Sequence, residues 1–448
     1  MKAFKAYDIR GKWGIELNAS SAYRIGNFIP EIFGVTNILI GRDIRLSSDE
    51  FFNALVKGIN DAGADVCDAG LTTTSMIYWG TGKFDFDLSI MITASHNPSE
   101  YNGLKFSGKD VLPIGYDNGL NKLEKLVDSS INTVIRKKGS ITKFIFKDDY
   151  IKFLKNYRHD YSNLNIAIDC SNGMSALLVR GIFGDAPYYI NEKMDGNFPG
   201  HEPNPLEPKN QEQIKNIVKE KGCDIGVIFD GDADRVMFID ENGKFVSPDL
   251  ILALLGHYFF EEKKAKGRVV QDIRTSKSVG EYLKQFNVHV DTWKVGRAFG
   301  APKLKELDGV YGGELAGHYY FRDFYYSDSA FMAAELVLNI VTKFKSQGLS
   351  MSQLINRIST YANTGEINFP IKEKLKAMNE IVNYFKQTGE KFKFLDIDGY
   401  RMDFDDWWFS IRPSNTEPYL RFLAEGKDKE ILEEKTNIIN GILSQYSS

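Results

Sequence analysis

Short apolar runs rich in β-branched residues alternate with amphipathic helical segments through the first three quarters of the chain. This alternation limits the possible folds more than any other feature. Asn37–Ile40 and Leu88–Ile92 read as strands, and Phe51, Phe52, Leu55 and Ile59 between them repeat at the spacing of a half-buried helix. A helix at about Asn118–Val127 follows. Further on, the strands Leu164–Asp169 and Ile225–Phe229 flank an amphipathic helix around Gln211–Lys221. The pattern continues through Pro248–Glu262 (helix), Arg268–Gln271 (strand), Lys277–Phe286 (helix) and His289–Trp293 (strand). Such alternation predicts parallel βαβ units. The final stretch differs. Phe392–Ile411 is aromatic and alternating, with a turn at Asp396–Gly399, and a closing helix covers Asp428–Gln445, which predicts a small antiparallel α+β domain. Lys138–Lys147 is basic and polar and reads as the approach to a domain boundary.

A chain of 448 residues is too long for one core, and length alone suggests about three domains. The formal charge of −4 argues against a general nucleic-acid binder. Cys67, Cys170 and Cys223 are odd in number and far apart, with no CxxC pair, as expected for a reduced cytosolic setting. Met1–Asp8 holds no signal-peptide core, and no stretch approaches the ~18 apolar residues a membrane helix needs. The expectation is a soluble cytoplasmic protein.

Four loops carry chemistry. Thr93-Ala94-Ser95-His96-Asn97-Pro98 follows a strand, where open α/β sheets place ligands, and its turn is expected to present Ser95 and His96 to solvent. Asp230-Gly231-Asp232-Ala233-Asp234-Arg235 lies between the strands Ile225–Phe229 and Val236–Ile239. Carboxylates at i, i+2 and i+4 share one face of extended chain, and together they imply a divalent metal. A calcium hand is excluded by Arg235, which stands where the obligatory glycine belongs; a solvated acidic turn is the bland alternative. Arg412-Pro413-Ser414-Asn415-Thr416 combines a guanidinium, two hydroxyls, an amide and backbone N–H groups, an inventory that suits a phosphate dianion or a capped turn. Gly312-Gly313-Glu314-Leu315-Ala316-Gly317-His318 offers a carboxylate and an imidazole, suited to sugar hydroxyls or to a plain tight turn. Lys105 is either a surface lysine or a charge held near the serine. Asp-Ile-Arg recurs at 8–10, 43–45 and 272–274, by coincidence or as a mark of repeated domains.

In this order and spacing, the four loops closely resemble the α-D-phosphohexomutase family, within it the bacterial phosphomannomutase/phosphoglucomutase branch. The resemblance extends through Phe4–Gly11, Gly41-Arg42-Asp43, Asp195–Pro199, Pro203-Asn204-Pro205 and Tyr319–Phe324 to the last domain. It implies an α/β fold of three similar mixed domains plus a C-terminal α+β domain of TATA-binding-protein-like fold around a central cleft. The expected boundaries are 1–143, 144–245, 246–358 and 359–448. It implies an intramolecular phosphotransferase in which Ser95 is the phosphoserine. Asp230, Asp232 and Asp234, with the Ser95 phosphate, are the implied ligands of one Mg²⁺ per chain. His96, Lys105, Arg235 and His318 join the implied catalytic set, Lys105 and His318 as acid/base candidates and His96 as a shaper of the loop. Tyr7, Arg10, Arg274, Glu314, Ala316, His318, Arg412, Ser414, Asn415, Thr416 and Arg421 are the implied substrate-binding set.

The expected reaction interconverts mannose 6-phosphate and mannose 1-phosphate through a hexose 1,6-bisphosphate, which also serves as activator. The alternatives are a phosphoglucomutase or dual-specificity enzyme, a phosphohydrolase using the Asp230 loop, and a silent sugar-phosphate-binding protein. A hexose phosphate is the expected partner, with neither nucleic acid nor membrane, for a monomer or weak homo-oligomer. Three residues depart from the family pattern: Ala316 where serine is common, Leu104 for a frequent phenylalanine, and Arg297 where close relatives often carry histidine.

Overall fold

The computed structural model describes residues 1–129, 131–414 and 419–446. Among them the strands form four sheets, the first three mixed and the fourth antiparallel. The first runs in the order Ile9–Lys12, Tyr101–Gly108, Leu88–Ile92, Asn37–Arg42, Asp65–Leu71, Ile141–Lys143. Its centre is parallel, and Tyr101–Gly108 turns back antiparallel on Leu88–Ile92. The second and third sheets repeat this plan. Parallel strands Ile166–Asp169 and Ile225–Phe229 meet antiparallel Val236–Asp240. Parallel strands Arg268–Asp272 and Tyr311–Gly313 meet antiparallel Tyr319–Phe321.

The stretch read as a boundary approach also donates the strand Ile141–Lys143 to the first sheet, parallel to Asp65–Leu71. All three of its residues are exposed, so an edge strand of this kind carries no apolar alternation to betray it.

Each of the four loops singled out above joins the two strands of an antiparallel hairpin. Residues 93–100 link Leu88–Ile92 to Tyr101–Gly108, and 230–235 link Ile225–Phe229 to Val236–Asp240. Residues 314–318 link Tyr311–Gly313 to Tyr319–Phe321, and Trp407–Pro413 pairs antiparallel with Tyr419–Gly426 around the fourth. The chemistry therefore sits on hairpin turns at the ends of interior strands rather than on βα crossovers, so each of the first three loops is pinned by two strands.

One buried apolar cluster runs through the first three sheets, drawing on Met76, Trp79, Ile168, Phe229, Leu254 and Phe331. The fourth sheet, with helices Lys374–Gln387 and Lys429–Ser444, has a core of its own around Phe385, Trp407, Phe409 and Phe422. It is tied to the third unit by polar contacts. Arg401 Nη1 donates to the carbonyls of Ile273 (2.9 Å) and Thr275 (2.6 Å), and Ser276 Oγ donates to Glu425 Oε2 (2.7 Å). Separate apolar cores joined through polar groups are the usual anatomy of domains that move relative to one another. Among the described residues, no helix is long and apolar enough to cross a membrane.

Candidate active site

Three of the hairpin loops line one cavity, together with Tyr7, Arg10, Lys105 and Arg297. Ser95 does not face solvent as its turn suggested; it is 4% exposed, wedged between the first and second units. Its backbone is left-handed (φ +54°), and its N–H donates to Thr93 Oγ1 at 2.9 Å. Ser95 Oγ donates to Asp230 Oδ2 at 3.3 Å, and His96 Nδ1 lies 3.4 Å from Ser95 Oγ. Gly231 makes this approach possible, because a Cβ there would stand 2.6 Å from the carbonyl oxygen of Ser95. Burial and the charges of Arg235 and Arg10 push the His96 imidazole well below its usual pKa, so it is neutral.

The Asp230 loop is not the extended segment the residue spacing implied. It turns, with Ala233 at φ +55°, and the turn rather than a strand face brings the three carboxylates together. One oxygen from each lies within 4.8 Å of the others. Asp230 Oδ1 accepts the N–H groups of Asp234 and Arg235 (both 3.2 Å), and Asp230 Oδ2 accepts Arg235 Nε at 2.9 Å. Lys105 Nζ donates to Asp232 Oδ2 (2.6 Å) and to Asp234. Among the described residues, Asp232 Oδ1 and Asp234 Oδ1 are buried without a hydrogen-bond partner. Two orphaned carboxylate oxygens in an all-oxygen donor set fit a hard divalent cation. Burial and its carboxylate neighbours push Asp230 up to about 7, whereas Lys105 is held well above its ordinary value by Asp232 and Asp234 and stays a cation.

Glu314 and His318 form the facing wall. Glu314 is 3% exposed; Oε2 accepts the Gly296 N–H at 3.0 Å and Oε1 accepts the Tyr320 hydroxyl. Burial raises its pKa to about 7. His318 Nδ1 bonds Asp328 Oδ2 at 2.8 Å, and the carboxylates of Asp234 and Asp328 lift the imidazole above its usual pKa despite burial. Asp328 was not evident from sequence, since nothing local marks it as the orienter of His318. Arg297, marked in the sequence only as a departure from the family pattern, donates from Nε to Asp328 Oδ1 (2.8 Å) and stacks 3.6 Å over Tyr78 of the first unit.

Of the remaining expected residues, Tyr7 packs edge-on against Phe299 at 5.7 Å, and Arg10 Nη1 donates to Asn97 Oδ1 at 2.8 Å. Ala316 lines the cavity beside Glu314. Arg274, Arg412 and Arg421 gather in a second cluster, with Arg274 also within the field of Glu314. Arg274 and Arg421 flank Glu366 at 4.0 and 3.5 Å, and Arg412 pairs with Asp398 at 3.6 Å. Ser414 is buried beside them, its carbonyl accepting Lys374 Nζ at 3.3 Å. Asn415 and Thr416 lie outside the described residues. Glu366, Asp398 and Lys374 were not foreseen, because they come from separate elements of the fourth sheet and its connections.

This arrangement has counterparts. The models of the phosphoglucomutase/phosphomannomutase alpha/beta/alpha domains I, II and III match residues 1–133, 148–243 and 247–361, and the C-terminal domain of that family matches 366–438. The chain belongs to this family. It is 33% identical to a phosphomannomutase of Methanocaldococcus jannaschii, over all of this chain and 99% of the relative. It is 34% identical to a phosphomannomutase of Escherichia coli K12, with 99% of each chain covered. A crystal structure of a phosphoglucomutase/phosphomannomutase family protein from Burkholderia thailandensis superposes with a TM-score of 0.87 at 26% identity, covering 99% of this chain and 97% of that one. The expected fold, three mixed α/β domains plus a C-terminal α+β domain, holds. The family member is an isomerase of the intramolecular phosphotransferase class.

Proposed function

We propose that this enzyme interconverts mannose 6-phosphate and mannose 1-phosphate by way of phospho-Ser95 and a hexose 1,6-bisphosphate. The observation that carries the reading is the meeting of Ser95 Oγ with Asp230 at 3.3 Å, in a cavity whose other wall holds Glu314 and His318. In the first half-reaction the free hydroxyl of the hexose phosphate attacks the phosphoserine phosphorus. The bond to Ser95 Oγ breaks and the hydroxyl proton passes to the His318 nitrogen not engaged by Asp328. The bisphosphate then turns end over end, and the steps run in reverse from its other phosphate.

Such transfer needs positioning and charge neutralisation rather than covalent assistance. Lys105 and Arg235, fixed by the Asp230 loop, supply fixed positive charge. The orphaned oxygens of Asp232 and Asp234, with Asp230 and the Ser95 phosphate, would hold Mg²⁺, which when bound offsets charge on the phosphoryl group. Glu314 reads the sugar hydroxyls, and Arg274, Arg412, Arg421 and the Ser414 loop grip the phosphate that is not transferred. Hexose 1,6-bisphosphate would serve as activator by restoring the phosphoserine. Mannose is favoured by the Tyr319–Phe324 run and by the names of the relatives. The setting is cytoplasmic, in keeping with three unbridged cysteines, and the enzyme is a monomer or weak homo-oligomer.

Ser95→Ala tests the mechanism. We expect a loss of at least ~10⁴-fold in kcat, and no 80-dalton phosphate adduct after incubation with the bisphosphate. Full mutase rate in that variant would sink the reading. A coupled assay comparing mannose 1-phosphate with glucose 1-phosphate tests the sugar.

A further inference from the structure

Arg45 lies outside the expected site, yet its side chain is wholly buried directly beneath the serine loop. A guanidinium has five N–H donors, and each of them has a partner here. Nη1 donates to the carbonyls of Pro98 (2.6 Å) and Tyr101 (3.1 Å), and Nη2 to those of Ser95 (2.8 Å) and Asn97 (2.6 Å). Nε donates to Asp43 Oδ2 at 3.1 Å, and Asp43 is in turn held by Ser48 Oγ at 2.6 Å. The phenyl ring of Phe198, from the second unit, covers the guanidinium at 5.0 Å. Phe198 is itself strained, at φ +53°, an uncommon conformation for a bulky residue that persists only where its surroundings impose it. Gly196 lets its loop come this close, since a Cβ there would stand 2.5 Å from the Ile44 carbonyl and 3.0 Å from Arg45 Cα.

We propose that Arg45, capped by Phe198, is the positioning residue of the phosphoryl-carrying serine. By gathering the four loop carbonyls onto one planar fork it holds Ser95 in its left-handed conformation, with Oγ aimed across the domain boundary at Asp230. The inference rests on the reading of Ser95 as the phosphoryl carrier. Lysine keeps the charge but offers three donors from a single point, and so cannot bridge four carbonyls and Asp43. Small displacements of a reacting group cost about 10²-fold in rate, while the residues proposed to grip the substrate belong to other loops.

The test compares Arg45→Lys and Phe198→Leu with the wild type in steady-state kinetics, in hydrogen exchange of the 95–101 amides, and in intact mass after incubation with glucose 1,6-bisphosphate. For Arg45→Lys we expect kcat to fall at least 100-fold with KM for the hexose phosphate within threefold, and the 95–101 amides to exchange faster. For Phe198→Leu we expect a 5–20-fold fall in kcat with the same KM. A folded Arg45→Lys enzyme with kcat within threefold of wild type overturns the proposal, as does a loss that appears in KM instead. Should Arg45→Lys not fold, an unchanged kcat in Phe198→Leu overturns it equally. If wild-type Ser95 takes up no phosphate at all, the mutase reading falls first and this inference with it, an outcome the mass measurement separates from the others.

Discussion

The tripeptide Asp-Ile-Arg occurs after a parallel strand in two domains, and the two copies start alike and finish differently. In each, the aspartate accepts the arginine's own N–H: Arg45 to Asp43 at 3.0 Å, Arg274 to Asp272 at 2.6 Å. In each, the same aspartate also pairs with that arginine's guanidinium. From there the two diverge. Arg45 commits all five donors to the protein and is shut away from solvent, whereas Arg274 keeps a guanidinium edge toward Glu366 at 4.0 Å, with a side chain 10% exposed. Local hydrogen bonding therefore fixes the start of the side chain, and the hairpin above it fixes the end. In the first domain that hairpin is the serine loop, whose carbonyls point down at the fork. In the third, the hairpin contributes the Leu315 N–H to Asp272 (2.8 Å) and leaves part of the guanidinium facing Glu366.

The sharpest way to break this comparison is to remove each aspartate. Asp43→Asn leaves a buried guanidinium without its counter-charge, and breaking a buried pair costs about 3–5 kcal/mol. Burial already holds Asp43 above and Arg45 below their ordinary pKa values, so desolvation outweighs the favourable charges around each. Asp272→Asn should cost only about 1–2 kcal/mol, because Glu314 and Glu366 still face Arg274. Thermal unfolding of the two variants side by side checks this, and equal losses would mean that the copies are energetically equivalent.

Kinetics sharpen the contrast next. If Arg274 grips a substrate phosphate, Arg274→Lys removes one or two charge-assisted hydrogen bonds worth about 1.5–3 kcal/mol together. KM for the hexose phosphate should then rise roughly 10–100-fold, with kcat changed by less than ~5-fold. The same substitution at Arg45 is expected to do the reverse. A KM effect at both positions, or at neither, would erase the distinction drawn here between the two copies.

These two arginines also mark what could be read from the sequence. The strand–helix alternation and the Asp230 triad were legible, because residue period and carboxylate spacing are local properties. The resemblance carried Ser95, Glu314 and His318 into view. Arg45 was not legible, because the carbonyls it holds lie 50 to 56 residues further along the chain and backbone acceptors leave no mark on residue identity. Asp328 and Glu366 were missed for a related reason: an acid earns its role from the cation opposite, and the pairing exists only once the sheets have closed. The left-handed Ser95 likewise sits among contacts from distant parts of the chain, Arg45 on one side and Asp230 on the other, that its own residue type does not announce. The strand Ile141–Lys143 escaped because an exposed edge shows no alternation.

A third buried acid lacks what both copies possess. Glu335, on the helix Ala330–Lys345, is 0% exposed, and neither carboxylate oxygen has a hydrogen-bond partner among the described residues. Burial pushes it up to about 8, only partly opposed by Arg158, so it is neutral at pH 7. In the unfolded chain the same group ionises near its ordinary value of about 4.5. Between these limits the folded state holds the proton and the unfolded state does not, so stability must fall as pH rises from about 4.5 to about 8 and level off beyond. Glu335→Gln removes that slope. It should leave stability at pH 4.5 nearly unchanged and raise it by roughly 4 kcal/mol at pH 8. Denaturant midpoints across this pH range provide the measurement. A wild-type curve no steeper than that of the variant would show that Glu335 finds a counter-charge in the folded enzyme, as Asp43 and Asp272 do. The contrast between paired and unpaired buried acids would then lose its third member.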